Sequence, residues 1–201
     1  SQFNSAQMIA EKWNISRLEM ENFAYQSHQK AMSAIEKGFF KDEIVSVEGF
    51  STDETPRAET SLEKMASLNP LIDGHDITAA ISSQNADASS AILIVSEKIL
   101  KEHNLTPLAR IANLSVRADD PIWMLTAPIP ATEYAVKKSG IQLSDIGLVE
   151  INEAFASVAM AWQKEMEYPM DQINISGGAI ALGHPLGATG ARLMTTMVHN
   201  M

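Results

Sequence analysis

His184 stands inside "GGAIALGHPLGATGAR" (177–192), and Asn152 opens "NEAFA" (152–156). These two residues have the means for chemistry. An imidazole takes up and gives back a proton near neutral pH, and a primary amide donates and accepts, so it can hold a water or a carbonyl in one orientation. Five of the ten glycines, at 177, 178, 183, 187 and 190, surround His184. Glycine reaches backbone conformations closed to other residues and lets chain or ligand come close. Pro185 biases the residue before it toward extended backbone and fixes the turn behind. The helix opened by "GATGAR" turns its positive end toward the loop, which disfavours an imidazolium and keeps the ring available as a base. A catalytic histidine approached by a thin substrate is one reading of this loop; a buried turn with an incidental histidine is the other. "GATGAR" lacks the lysine of a phosphate-binding GxxxxGK[ST] loop. Asn152 likewise reads as a ligand-holding amide at a strand end or as a helix cap.

Other chemistries are excluded or unsupported. The chain has no cysteine, so within these residues there is no disulfide, thiolate metal site or cysteine nucleophile. A net charge of −10 argues against nucleic acid as the main partner but leaves room for a small anion held by a few local cations. His28, His75, His103, His184 and His199 have no second ligand at a chelating spacing, so no metal is expected. The longest strongly apolar run, "AILIV" at 91–95, is far too short to span a bilayer.

The elements that must position these residues alternate. Residues 5–37 read as helix, with Ser16 and Glu19 as a capping box and a stop at Gly38. "FFKDEIVSVEG" reads as strand and "STDETPRAETS" as loop. "SSAILIV" reads as a buried strand, and "LARIANLSV", "IGLVEIN" and "QINIS" as further strands. Between and after them "SEKILKEHN" opens a helix on Ser96, "PIPATEYAVKKSG" is a helix begun by proline and ended at Gly140, and "EAFASVAMAWQKEM" and "GARLMTTMVHN" are helices. Strand–helix alternation over half the chain predicts an α/β layered fold.

The two chemical segments together resemble the thiolase family. "NEAFA" is similar to its Asn-Glu-Ala-Phe block and "GGAIALGHPLGATGAR" to its Gly-His-Pro block, while "TAPIPA" (126–131) and "SRLEMENFAYQSHQKA" (16–31) resemble two further segments in order. "LSVRADDPIWMLTAPIPAT" looks closest to degradative thiolases of the acetyl-CoA acyltransferase kind, enzymes of fatty acid β-oxidation. The resemblance implies a partial α-β-α-β-α layered fold with an α-rich loop domain. It places the coenzyme A-covering loop domain at 1–83, the tail of the N-terminal domain at 84–108 and most of the C-terminal domain at 109–201. Thiolases are about twice as long and use two cysteines, so the chain reads as an internal fragment inactive by itself.

The resemblance also implies roles. The reaction is thiolytic cleavage or Claisen condensation of 3-ketoacyl-CoA through a cysteine outside this chain. His184 is the base, and Asn152 holds a water of the oxyanion hole. Glu153 orients loops behind the site. Arg57 faces the adenosine phosphate end of coenzyme A, Ser83 contacts pantetheine, and Ala154 and Phe155 line its channel; Lys64 adds charge toward coenzyme A or is merely solvated. Coenzyme A and acyl-CoA are substrates, with no permanently bound cofactor. The parent is expected to be a homodimer or homotetramer, cytoplasmic by default. The chain departs from the family at Ala86-Asp87-Ala88, where a glycine usually ends the triplet, and in "SQFNSAQ". Two other readings stay open: a non-catalytic coenzyme A-binding or subunit-interaction protein, and a ketoacyl-synthase-like condensing enzyme.

Overall fold

The computed structural model describes residues 1–201. Its helices are α1 (Gln2–Lys12), α2 (Arg17–Lys37), α3 (Leu62–Ala66), α4 (Glu97–Glu102), α5 (Pro128–Ser139), α6 (Ala156–Met166), α7 (Ala179–Leu182) and α8 (Thr189–Asn200). Short 3₁₀ turns occupy Ala79–Ile81, Leu143–Asp145 and Met170–Gln172.

Local sequence sets most helix ends. Ser16 accepts from the Glu19 amide while the Glu19 carboxylate accepts from the Ser16 amide, the reciprocal cap expected at this spacing. Gly38 and Gly140 end α2 and α5 in the left-handed conformation, and Pro128 opens α5. The single helix expected over 5–37 is two. Asn14 turns left-handed with φ 49°, and the Lys164 ammonium donates to the carbonyls of Trp13 and Asn14, so the chain bends before Ser16 restarts it.

The core centres on α6, whose residues from Ala156 through Trp162 are all buried. Alanines at 156, 159 and 161 let neighbouring helices approach on several sides. Ile9 of α1, Met20 and Ala24 of α2, and Ile77 and Ile81 share a continuous apolar cluster with Phe155 and Val158. Two hydrogen bonds fix the orientation: Ser157 Oγ donates to the Ala6 carbonyl at 2.9 Å and Trp162 Nε1 to Thr132 Oγ1 at 2.9 Å.

The strands are the main correction. Of the strands expected over 39–49, 89–95, 108–116, 146–152 and 172–176, only isolated bridges remain, antiparallel between Val47 and Phe50 and parallel between Val149 and Ile173. At 149–151 the Asn174 side chain continues the ladder, accepting from the Ile151 amide at 2.8 Å and donating to its carbonyl at 2.9 Å. Segments 89–95 and 108–116 pair with nothing. Leu93, Ile94, Leu114 and Val116 are exposed at 78%, 65%, 71% and 88%. An apolar segment becomes a strand only when a second edge satisfies its backbone groups, and no such edge lies beside these two. No helix is long and apolar enough to cross a membrane.

Candidate active site

His184 follows α7 and one glycine. Gly183 has φ +85°, and a Cβ there would meet Ala86 Cβ at 2.6 Å, so only glycine lets the 183–184 backbone pass this close to segment 84–86. The His184 amide then donates to the Gln84 carbonyl at 2.8 Å.

The ring is held from both sides. Nδ1 lies 2.7 Å from Thr189 Oγ1, and that hydroxyl donates to the Pro185 carbonyl at 3.0 Å. With the hydroxyl proton directed to Pro185, Thr189 accepts from Nδ1–H and the lone pair falls on Nε2, a tautomer assigned from this hydrogen-bond pattern. Asn152 Nδ2 faces Nε2 at 3.3 Å. Thus the two residues singled out in sequence meet across 32 positions, with the amide donating to the basic nitrogen. Asn152 Oδ1 is buried with no protein partner. The ring is held below its ordinary pKa first by burial and then by the nearby Arg192 charge. Asn152 is not a cap either: the residue at the N-cap of α6 is Phe155, which makes no side-chain capping bond.

Behind this pair Glu153 is fully buried. Its carboxylate accepts from Ser27 Oγ at 2.7 Å, Asn174 Nδ2 at 2.8 Å and the Ile180 amide at 3.1 Å, tying α2, the 172–174 segment and α7 together. Burial pushes its pKa up, against the pull of these donors. Gly178 lies against the same carboxylate, where a Cβ would collide with Glu153 Cδ.

A groove of about 490 Å³ adjoins the site, lined in part by His28, Arg57, Lys64, Ala79, Gln84 and Ile180. Arg57 and Lys64 bring positive charge to it and Glu59 a negative one, and six of its twelve lining residues are apolar. Ser83 and Ala154 share a backbone bond, Ser83 N to Ala154 O at 3.0 Å. Phe155 is 5% exposed, in the core, edge-on to Phe3 at 5.7 Å.

The family model described as Thiolase, N-terminal domain matches residues 4–98, and Thiolase, C-terminal domain matches 105–201. The chain belongs to the thiolase family. It is 55% identical over 202 residues to steroid 3-ketoacyl-CoA thiolase FadA6 of Mycobacterium tuberculosis, an alignment covering 98% of this chain and 49% of that protein. It is 44% identical over 211 residues to a 3-ketoacyl-CoA thiolase of Yersinia pestis, covering 98% and 54%. The fold is that of solved thiolases. The crystal structure of Bacillus anthracis acetyl-CoA acetyltransferase superposes with a TM-score of 0.93 at 37% identity, covering 99% of this chain and 53% of that one. Human mitochondrial 3-ketoacyl-CoA thiolase in complex with CoA superposes with a TM-score of 0.91 at 39% identity, covering 98% and 51%. The chain thus spans about half the length of the curated relatives it matches.

In this thiolase chain sequence reasoning missed three residues beside the site. Thr189 was legible in principle, as a hydroxyl one helical turn after Pro185. His28 accepts from the Arg57 amide through Nδ1 at 3.1 Å, and burial above all, with Arg57 adding, drops its pKa to about 4. Gln84, next to Ser83, carries no local signal.

Proposed function

We propose that this chain supplies the coenzyme A-covering loop domain and the His–Asn half of a thiolase site for cleaving or forming 3-ketoacyl-CoA. The observation that carries the reading is the Asn152–His184 pair at 3.3 Å, with Thr189 Oγ1 at 2.7 Å from Nδ1 on the other side of the ring. A base must expose a lone pair to its proton donor. Having no cysteine, the chain relies on a thiol from outside these 201 residues. His184 Nε2 takes that thiol's proton. The thiolate attacks the ketone carbon of the 3-ketoacyl-CoA, the bond between that carbon and the α-carbon breaks, and its electron pair moves onto the thioester oxygen. The newly protonated Nε2 donates a hydrogen bond to that oxygen; the enolate α-carbon takes its proton from a second acid outside these residues, and the acyl group passes from the enzyme sulfur to coenzyme A. Asn152, with its buried and unpartnered Oδ1, anchors the water that gives the second donor. Neither group places a permanent cation beside the thiolate.

The groove takes the coenzyme A portion, Arg57 and Lys64 meeting its phosphates while Ser83 and Ala154 flank the pantetheine arm. Residues 1–83, 84–108 and 109–201 act as the loop domain, the tail of the N-terminal domain and the C-terminal domain, in a homodimer or homotetramer. Calorimetric titration with coenzyme A tests the groove, and an assay with acetoacetyl-CoA and coenzyme A tests the missing nucleophile. Saturable binding weakened by Arg57→Ala, without turnover, is expected. No binding refutes the groove assignment, and robust turnover by the chain alone refutes the external thiol. The absence of cysteine also favours a second reading, coenzyme A binding without catalysis; it differs in leaving added thiol-bearing N-terminal half without effect on turnover.

A further inference from the structure

Gln84 touches more of the site than any residue assigned to it. Its side-chain oxygen accepts from Arg57 Nε at 3.3 Å and Nη2 at 3.1 Å. Its side-chain nitrogen donates to the carbonyls of Thr55 at 3.0 Å, Ile180 at 2.9 Å and Ala181 at 3.1 Å. Its backbone donates to the Ala179 carbonyl at 3.4 Å and accepts from the His184 amide at 2.8 Å. One residue therefore holds α7 and the histidine on one side and the groove cation on the other. The task requires an amide. A carboxylate would face the carbonyls with lone pairs, an ammonium would repel Arg57, and an alkyl group would leave both sides unbonded. The segment that carries Arg57 is fixed independently by its amide bond to His28. Arg57 Nη1 makes no bond within the protein and is left for a ligand.

We propose that Gln84 is a positioning residue that couples phosphate on Arg57 in the groove to the placement of His184. A phosphate bound at Nη1 restrains the guanidinium plane. The restrained plane orients the Gln84 amide, and the amide fixes the carbonyls that precede His184. The coupling rests on the reading of the groove as a coenzyme A site, while the holding of α7 by Gln84 does not.

The test uses the full chain, with coenzyme A and with adenosine bisphosphate, the nucleotide half that has no arm to reach His184. Binding is measured by calorimetry, the His184 ring by NMR and the His184 amide by hydrogen exchange. Adenosine bisphosphate is expected to shift the His184 ring signal and slow exchange of its amide by about fivefold, the equivalent of one net hydrogen bond. Gln84→Glu loses the donor to the carbonyls and sets a negative charge beside the phosphate, so nucleotide affinity falls and the His184 amide exchanges about tenfold faster. Gln84→Leu loses both, so exchange rises equally, affinity falls about fivefold, and the ring no longer responds to nucleotide. Unchanged His184 exchange in both variants overturns the positioning role. Nucleotide binding with no response at the wild-type His184 overturns the coupling alone, and this arm stands even where a variant does not fold. No binding of either ligand overturns the groove reading and the coupling together, while the exchange measurements still decide whether Gln84 holds the histidine.

Discussion

Thr189→Val keeps the shape of the side chain and removes only its hydroxyl. Thr189 is 5% exposed, so solvent cannot readily replace what is lost. The Pro185 carbonyl keeps the Thr189 backbone amide, which also donates to it at 3.0 Å, so the perturbation falls on the imidazole. Nδ1–H loses its acceptor at 2.7 Å. A neutral hydrogen bond of this kind contributes about 1 kcal/mol net, which is about a fivefold preference for the Nδ1–H tautomer. Without it the proton moves toward Nε2, where it confronts the Asn152 Nδ2 donor unless that amide turns its oxygen inward. Stability should fall by about 1 kcal/mol, lowering Tm by about 2–4 °C for a chain of this size. Two-bond ¹H–¹⁵N spectra at pH 7.5 or so distinguish the tautomers, and Thr189→Ser should restore the wild-type pattern. A wild-type His184 protonated on Nε2, or a valine variant with unchanged tautomer, would refute the assignment of the lone pair and with it the argument for His184 as base.

Three further outcomes follow from the same geometry. Burial, reinforced by Glu153 and Glu43 and opposed by Arg192, raises Glu150 from 4.5 to about 7. The folded chain therefore binds this proton more tightly than the unfolded one. Stability from this group is fully present below pH 4.5 and falls by up to about 3 kcal/mol as pH rises to 7; Glu150→Gln should flatten that slope in urea melts at pH 5 and 8, and a parallel slope in the variant would count against it. Gly178→Ala drives a methyl into the buried Glu153 carboxylate and should cost more than about 3 kcal/mol, so a variant melting within a few degrees of wild type would mean Glu153 has room to move. Leu93→Lys with Leu114→Lys, at exposures of 78% and 71%, should lower light scattering at unchanged Tm; a large loss of Tm would show that these side chains pack in solution.

What the sequence makes legible here is set by how far each cause lies along the chain. Capping at Ser16, the stop at Gly38 and the proline start of α5 depend on partners within four residues, so their letters suffice. The segments 89–95 and 108–116 are apolar and β-branched, yet composition records only that a strand should be buried, not that an edge exists beside it; within these residues none does, and both stay exposed. Asn152 and His184 were visible because each ends an apolar run with a polar group that such a run does not need. At Phe155 the letters beside a site residue suggest a wall, while the direction of the ring, toward α1 and Phe3, is set by the extended backbone at 155. Gln84 was invisible because a glutamine in a loop has no local signature at all. Its importance arises only when the fold lays 84 against 179–184 and against 55–57, nearly a hundred positions away in one direction and about thirty in the other. Residues that react can be found by chemistry, whereas those that hold them depend on topology, and for this chain the holding residue forms more bonds to the histidine's segment than Asn152 does.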